Sequence, residues 1–371
     1  MYLLGLGVSN PPGRFSQKEC WDAFQASKSW ITLRPRSKAI LRKVLNNPEG
    51  IRQRYLALDN LDEVFVVDPD TMHRRFAKWA PKLAAQAAQK AMAEAGLEAR
   101  QIDGLIVNCS TGYLCPGLTS YLSEGLRLRG DTLMLDLAGQ GCGAAVPGLC
   151  TASALLDSGQ CRAVLFICVE VCSAVFYLDD DPGVLISACL FGDGAAAAIL
   201  THELAPGRRR VEWLFSETRS SPGERDCLGI RHQGGLRRSV LLPCVPKMVA
   251  EHVELILAQV LKRHGVTQSD ISAWVLHAGG SQVLRTLRSR LGLTEKDTAL
   301  SASILNAYGN MSSPFVLYVL KEQLAQDRQA GLWFLASFGA GFSAHGALLN
   351  VGRSLGDGSG NDAPSGNRHT A

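Results

Sequence analysis

Residues 87–112 read AAQKAMAEAGLEARQIDGLIVNCSTG, and residues 255–280 read LILAQVLKRHGVTQSDISAWVLHAGG. Laid side by side, the two segments hold one register without a gap. Each opens with a helical pattern that stops at a glycine, Gly96 or Gly265, where a left-handed C-cap needs a residue without Cβ. Each has an isoleucine six residues later, Ile102 or Ile271, and then a short apolar run. Those runs read as strands ending at Asn108 and His277. Such a repeat means one supersecondary unit used twice.

The flanking segments correspond as well. Gly141-Cys142 precedes the helical AAVPGLCTASALL and the strand AVLFICVE, while Gly309-Asn310 precedes SSPFVLYVLKEQLAQ and the strand LWFLASF. Both halves then show a Gly-x-Gly hairpin and a further strand, GDGAAAAIL from Gly192 and GAGFSAHGALL from Gly339. Alternating strands and helices predict sheets covered by helices. The expected fold class is α/β, a duplicated core of five layers, αβαβα, with two helices at its centre that are apolar on all sides. The halves are expected at residues 1–220, carrying Cys142, and 221–352, carrying His277 and Asn310. Residues 353–371 are rich in Gly, Ser, Asn and Asp and predict a disordered tail.

Composition narrows the function classes. The 371 residues are 46% hydrophobic and 19% charged, enough for a substantial core. A net charge of +4 with interspersed signs gives no nucleic-acid footprint, and no apolar run is long enough for a membrane span. The opening MYLLGLGVSNPPGRF lacks the basic start of a signal peptide. The 11 cysteines match no zinc spacing, so no metal is assigned, and they read as reduced thiols of a cytoplasmic protein. GDGAAA and GAGFSA satisfy Gly-x-Gly-x-x-Ala, but strand-like runs follow where a dinucleotide site needs a helix.

Cys142 stands out among the cysteines. Its flanking glycines permit a tight turn, and the following helix puts the thiol near a helix N-terminus, where thiolate is favoured. The repeat sets Asn310 at the equivalent turn and His277 at a strand end, and strand ends converge on one sheet edge. A Cys, His and Asn are thus expected in one pocket. The same residues admit a plainer reading: a core cysteine, a hydrogen-bonded histidine and a helix-capping asparagine.

In order along the chain, LAGQGCGAA, CLFGDGAAAAIL, WVLHAGG with VLRTL just after, LNAYGNMSSPFVLYVL and FGAGFSAHGALL resemble the chalcone synthase-like type III polyketide synthases of the thiolase superfamily. The resemblance runs from Ile51 to Asn350 and is looser before it. It implies a thiolase-like fold and a homodimeric acyltransferase that condenses an acyl starter with malonyl units. Coenzyme A thioesters would be the substrates, with no metal or redox cofactor, and a pyrone or resorcinol the product. By this resemblance Cys142 holds the starter as a thioester, while His277 and Asn310 assist malonyl decarboxylation and stabilise the enolate. His277 also supports the thiolate as an ion-pair partner.

The resemblance extends to the pocket. Phe191 matches an aromatic gatekeeper, and Ser312 lies in the pocket segment. Cys115, before Pro116, matches a cavity position facing the dimer partner's site, and Cys172 and Val175 match positions that shape the starter pocket. Ser239 falls where a second aromatic gatekeeper is usual, which predicts a more open mouth. The family holds coenzyme A phosphates with basic residues just before the RY motif; here Pro48 falls where a lysine is common, and Arg36, Lys38, Arg42 and Lys43 would substitute from the preceding helix. They equally suit a solvated helix face or the docking of an acidic acyl carrier protein. Ala278 replaces the family's proline after the histidine, and His345 has no assigned role. Two alternatives remain at this level: a single-round, carrier-protein-dependent ketosynthase, and a decayed homologue acting as a partner subunit.

Overall fold

A computed structural model describes residues 1–204, 206–326 and 330–353. Of the tail expected at 353–371, all but Arg353 lies outside the described residues.

The repeat is realised almost residue by residue. Helices Pro69–Ala95 and Val245–His264 end on Gly96 and Gly265, at φ/ψ of 68°/29° and 67°/29°. A 3-10 turn follows each, Ala99–Gln101 or Gln268–Asp270, and then a strand, Gly104–Asn108 or Ile271–Leu276. The second strand stops one residue before the expected end at His277. The His277 N–H still donates to Ala336 O at 2.9 Å, so this residue keeps its ladder bond while its side chain is delivered at the strand mouth.

Nine strands form the main sheet among the described residues. Leu133–Leu137, Gly104–Asn108, Ala163–Glu170, Gly194–Thr201 and Tyr2–Ser9 make one half, in that order. Val211–Ser220, Ser343–Val351, Gly331–Gly339 and Ile271–Leu276 make the other. One backbone pair, Tyr2 with Glu212, joins them. Three apolar cores separate the layers. Helix Pro69–Ala95 covers the first half sheet with Ala80, Ala84, Ala87 and Ala91. The fit is close: a Cβ on Gly5 or Gly7 would lie 2.2 or 2.1 Å from a carbonyl of that helix. Helices Val245–His264 and Ser281–Arg290 cover the second half sheet. Between the sheets lie helices Ala145–Asp157 and Phe315–Gln326. This is the five-layered, thiolase-like arrangement.

Two expectations need correction. Only one central helix is apolar all round near its start, with Phe315 to Leu320 buried. In the other, Ala154 and Asp157 are exposed, because its last turn reaches the surface. The Gly-x-Gly hairpin exists only in the second half, between Gly331–Gly339 and Ser343–Val351. In the first half, residues 171–193 intervene between the paired strands, with a 3-10 turn Cys172–Val175 and a helix Pro182–Leu190. That helix has its own start signal: Pro182 at the first position and Asp181 accepting the N–H of Gly183 and Val184 at 2.8 and 3.3 Å. Its apolar face packs against Phe24, Leu41 and Leu45 of the N-terminal helices. Among the described residues, no helix is long and apolar enough to cross a membrane, and no cluster of side chains could hold a metal ion.

Candidate active site

Cys142 lies in the 3-10 turn Gly141–Gly143, immediately before helix Ala145–Asp157. The turn is pressed onto the other half of the molecule. A Cβ on Gly339 would lie 2.2 Å from Gln140 O and 2.4 Å from Gly143 N, so these backbones touch only because both residues lack side chains. Ser337 Oγ donates to Gly143 O at 2.9 Å. His345, which had no role in the sequence, packs its ring under Gly143. Its nitrogens pair with Thr218 Oγ1 at 3.0 Å and Ser343 Oγ at 3.1 Å, and burial pushes its pKa down to about 4. It is a neutral support for the turn.

Asn310 follows Gly309, which has φ of 73°, as Cys142 follows Gly141, with φ of 55°. Asn310 Nδ2 donates to Gly279 O at 3.1 Å, and its Oδ1 accepts the Ser312 N–H at 2.8 Å. These two bonds fix the amide orientation and leave one Nδ2 hydrogen over. Ser312 takes the left-handed conformation, φ 61°, and its side chain hydrogen-bonds the Cys142 sulfur. His277, 1% exposed, has neither ring nitrogen hydrogen-bonded within the protein. Its ring is held edge-on to Phe315 at 5.1 Å and tilted on Phe338 at 4.8 Å. Phe315 opens the helix after Asn310, and Phe338 precedes the glycine that touches the cysteine turn. The three expected groups are thereby tied to one place by shared neighbours.

The charge state differs from the sequence expectation. Burial pushes the Cys142 thiol up to about 12, opposed by the Ser312 hydrogen bond and reinforced by the nearby Glu170 carboxylate. Burial pushes His277 down to about 3. Both shifts favour the uncharged thiol and the uncharged imidazole, against the ion pair that the sequence led us to expect. The cost of desolvating both charges exceeds what a helix N-terminus returns.

Sequence reasoning missed Glu170, whose signal was a lone carboxylate ending the apolar run AVLFICVE. It is fully buried, and burial raises its pKa. It accepts from the N–H groups of Ser110 and Thr111, both at 3.0 Å, and from Ser313 Oγ at 2.7 Å.

The other expected positions spread outward. Phe191 caps helix Pro182–Leu190 and pairs directly with Asn310 through an isolated bridge. Cys172 is buried and Val175 half-buried in the 3-10 turn, with Cys172 close enough to Cys142 for each charge to disfavour the other. Ser239 lies half-buried on strand Leu236–Leu241, its carbonyl against Gly183 at the start of the Phe191 helix. Cys115 is exposed beside a cis bond to Pro116, with the Tyr113 hydroxyl as its neighbour. Helix Pro35–Leu45 carries the four basic residues. Arg36, Arg42 and Lys43 are exposed and Lys38 is half-buried, with Lys38 and Arg42 over the indoles of Trp30 and Trp21 at 5.3 and 5.9 Å.

Comparison with known proteins bears on this site. Residues 9–227 match a family described as FAE1/type III polyketide synthase-like protein, and residues 231–352 match the C-terminal domain of chalcone and stilbene synthases. A 1,3,6,8-tetrahydroxynaphthalene synthase from Streptomyces peucetius is 30% identical over 344 residues, 91% of this chain and 90% of its own. An alpha-pyrone synthesis polyketide synthase-like protein from Mycobacterium tuberculosis is 28% identical over 317 residues, 81% of this chain and 80% of its own. The crystal structure of PKS-I from the brown alga Ectocarpus siliculosus superposes with a TM-score of 0.84 at 28% identity, over 94% of this chain and 98% of that one. The tetrahydroxynaphthalene synthase of Streptomyces coelicolor shares the fold, with a TM-score of 0.86 at 23% identity over 95% of this chain and 99% of that one.

Proposed function

This chain belongs to the type III polyketide synthase family, and on that premise we propose that it loads an acyl starter on Cys142 and extends it with malonyl units by decarboxylative Claisen condensation. Coenzyme A thioesters deliver both groups. Cyclisation to a pyrone or resorcinol-type product closes the sequence.

The observation that supports the reading best is the buried His277 with two unpartnered nitrogens, alongside an Asn310 amide with a spare N–H and a neutral thiol. In loading, His277 takes the thiol proton as sulfur attacks the starter thioester, and coenzyme A leaves with a proton. The imidazole then presents an N–H, and with Asn310 Nδ2 it donates to the malonyl thioester oxygen. Carbon dioxide departs, and its bonding pair becomes the enolate, whose negative oxygen these two donors stabilise. The enolate carbon attacks the acyl-Cys142 carbonyl, a carbon–carbon bond forms, and the thiolate leaves. Decarboxylation itself supplies the carbanion, so this chemistry needs no metal or redox cofactor. Phe191 fences water from the enolate.

Several finer points belong to the same reading. Arg36 and Lys43, with Lys38 and Arg42 behind them, meet the coenzyme A phosphates. The working form is a homodimer that brings a second copy to Cys115. The uncovered Tyr113, Tyr121 and Met134 near the sheet edge Leu133–Leu137 support that. All eleven cysteines are free thiols, which suits a reduced cytoplasmic setting. The carrier-protein-dependent ketosynthase is not favoured, since the relatives are type III synthases.

Intact-protein mass spectrometry tests the proposal. Purified protein meets acyl-coenzyme A starters of graded length, then malonyl-coenzyme A, with Cys142→Ala as control. An adduct absent from the control, and released as product after malonate, is the expected result. No adduct from any coenzyme A donor would overturn the reading.

A further inference from the structure

The chemistry above leaves a fully buried charge unused. Arg54 is 1% exposed, yet none of its hydrogen-bond partners is a carboxylate. Nε donates to Gln17 Oε1 at 3.1 Å and Nη2 to Cys20 Sγ at 3.3 Å. Nη1 donates to two backbone carbonyls, Ala188 O at 2.6 Å and Phe191 O at 2.8 Å. Burying a cation without a counter-ion is costly unless its donors are satisfied and a compensating field is present. Both carbonyls lie at the C-terminal end of helix Pro182–Leu190, the negative end of its dipole. The side chain is thus held by the end of the helix that delivers Phe191.

The other side of Arg54 touches the Asn310 turn. A Cβ on Gly309 would lie 2.9 Å from Arg54 Cγ and 3.2 Å from its Cδ. Between these two contacts runs the bridge that pairs Phe191 with Asn310. Its bonds are Gly192 N–H to Asn310 O at 3.0 Å and Asn310 N–H to Leu190 O at 2.9 Å. The neighbouring Tyr55 reinforces the clamp: its carbonyl accepts the Asp193 N–H at 2.8 Å, and its ring stacks on Tyr308 at 5.4 Å.

We propose that Arg54 is a positioning residue that locks Phe191 and Asn310 into one rigid unit, setting the amide donor and the covering ring together against the malonyl-derived enolate. This rests on the roles proposed above for Asn310 and Phe191. Arg54 itself touches no substrate.

The test separates the two half-reactions in the full chain, using octanoyl-coenzyme A for loading and malonyl-coenzyme A for decarboxylation. In Arg54→Met, decarboxylation kcat should fall about 10- to 100-fold with KM and loading within about twofold, since small misplacements of a reacting group cost this much. Arg54→Lys should recover part of the loss. Placed in an Asn310→Ala background, Arg54→Met should add little further loss, because the two act through one group. Unchanged decarboxylation, or a parallel fall in loading and decarboxylation that tracks a lower Tm, would overturn the proposal. Should Arg54→Met not fold, Gln17→Leu removes only the acceptor of Nε and should show the same split more weakly. Equal loss of loading and decarboxylation there would also overturn it. Asn310→Ala alone separates the levels: wild-type decarboxylation in that variant sinks the enolate role, whatever Arg54 does.

Discussion

After Gly141 the first half of the molecule presents a thiol; after Gly309 the second presents an amide. The backbones around them are alike: a positive-φ glycine, then the functional residue, then a helix between the sheets. What differs is the chemistry on that frame. At the equivalent strand ends the first half has Asn108 where the second has His277, so only the second half offers an imidazole. The crossovers differ too, a tight hairpin at Gly339–Ser343 against the excursion 171–193 that carries the Phe191 helix. A duplicated scaffold gives two equivalent turns, and the function comes from making them unlike. In the proposed mechanism one turn forms a covalent bond, and the other holds a negative oxygen.

The largest effect should come from erasing the first turn's identity. Cys142→Ala should lose the acyl adduct and lower kcat by roughly 10⁴-fold or more, as deletion of a nucleophile does, read by intact mass and product formation. Erasing the second should be milder and selective. Asn310→Ala should cost decarboxylation about 10²- to 10³-fold, the usual loss for one oxyanion donor, while the rate of loading stays near wild type. Equal losses in both steps would mean that the turns do not divide the labour.

The contact between the halves can be broken without touching either group. Gly339→Ala forces a methyl into the Gln140 carbonyl and Gly143 N–H. It should destabilise by about 1–3 kcal/mol, as overpacking does, and slow loading more than a variant of equal Tm elsewhere. Urea unfolding with a loading assay checks both.

The smallest effect concerns His277 and pH. Its pKa falls from an ordinary 6.5 to about 3 in the folded chain. Between those values the unfolded chain binds the proton and the folded chain does not. The stability tied to this group is therefore full above about 6.5 and drains away as pH falls toward 3. Glu170 and Asp193 act in the opposite sense, because burial raises both, Asp193 to about 6. Comparison with His277→Gln isolates the histidine: from pH 6.5 to 5 the wild type should lose about 2 kcal/mol more than the variant. Parallel stability curves would show that the imidazole is not held neutral.

The legible parts of this fold are those that local rules govern. Gly96 and Gly265 announce left-handed caps, and the residues after them keep their spacing because each builds the same turn and strand. Cys142, His277 and Asn310 are legible through the repeat, which aligns two of them, and through family motifs. What the sequence hides depends on long-range packing. Asp181 and Pro182 announce a helix locally, but nothing local says that strands 163–170 and 194–201 will pair across it, or that burial will outweigh the helix dipole at the thiol. Arg54 reads as an ordinary surface arginine in GIRQRYLAL until tertiary contacts close around it. His345 gains its purpose from Gly143, some two hundred residues away.

The pairing of strand Tyr2–Ser9 also has a consequence in time. Its ladder partners are Thr201 to Ala195 and then Glu212. During synthesis this strand waits while roughly 190 more residues are made, about 10–40 s at 5–20 residues per second. Through that interval LLGLGV is an open edge with nothing to pair with, and helix Pro69–Ala95 is available to cover one face of it first. The seam Tyr2–Glu212 is thus the last rung of this strand to close, ahead only of the second-half pairs made by residues 271–351. A pause in translation before residue 212 would leave it open, exposed to aggregation and to chaperone capture.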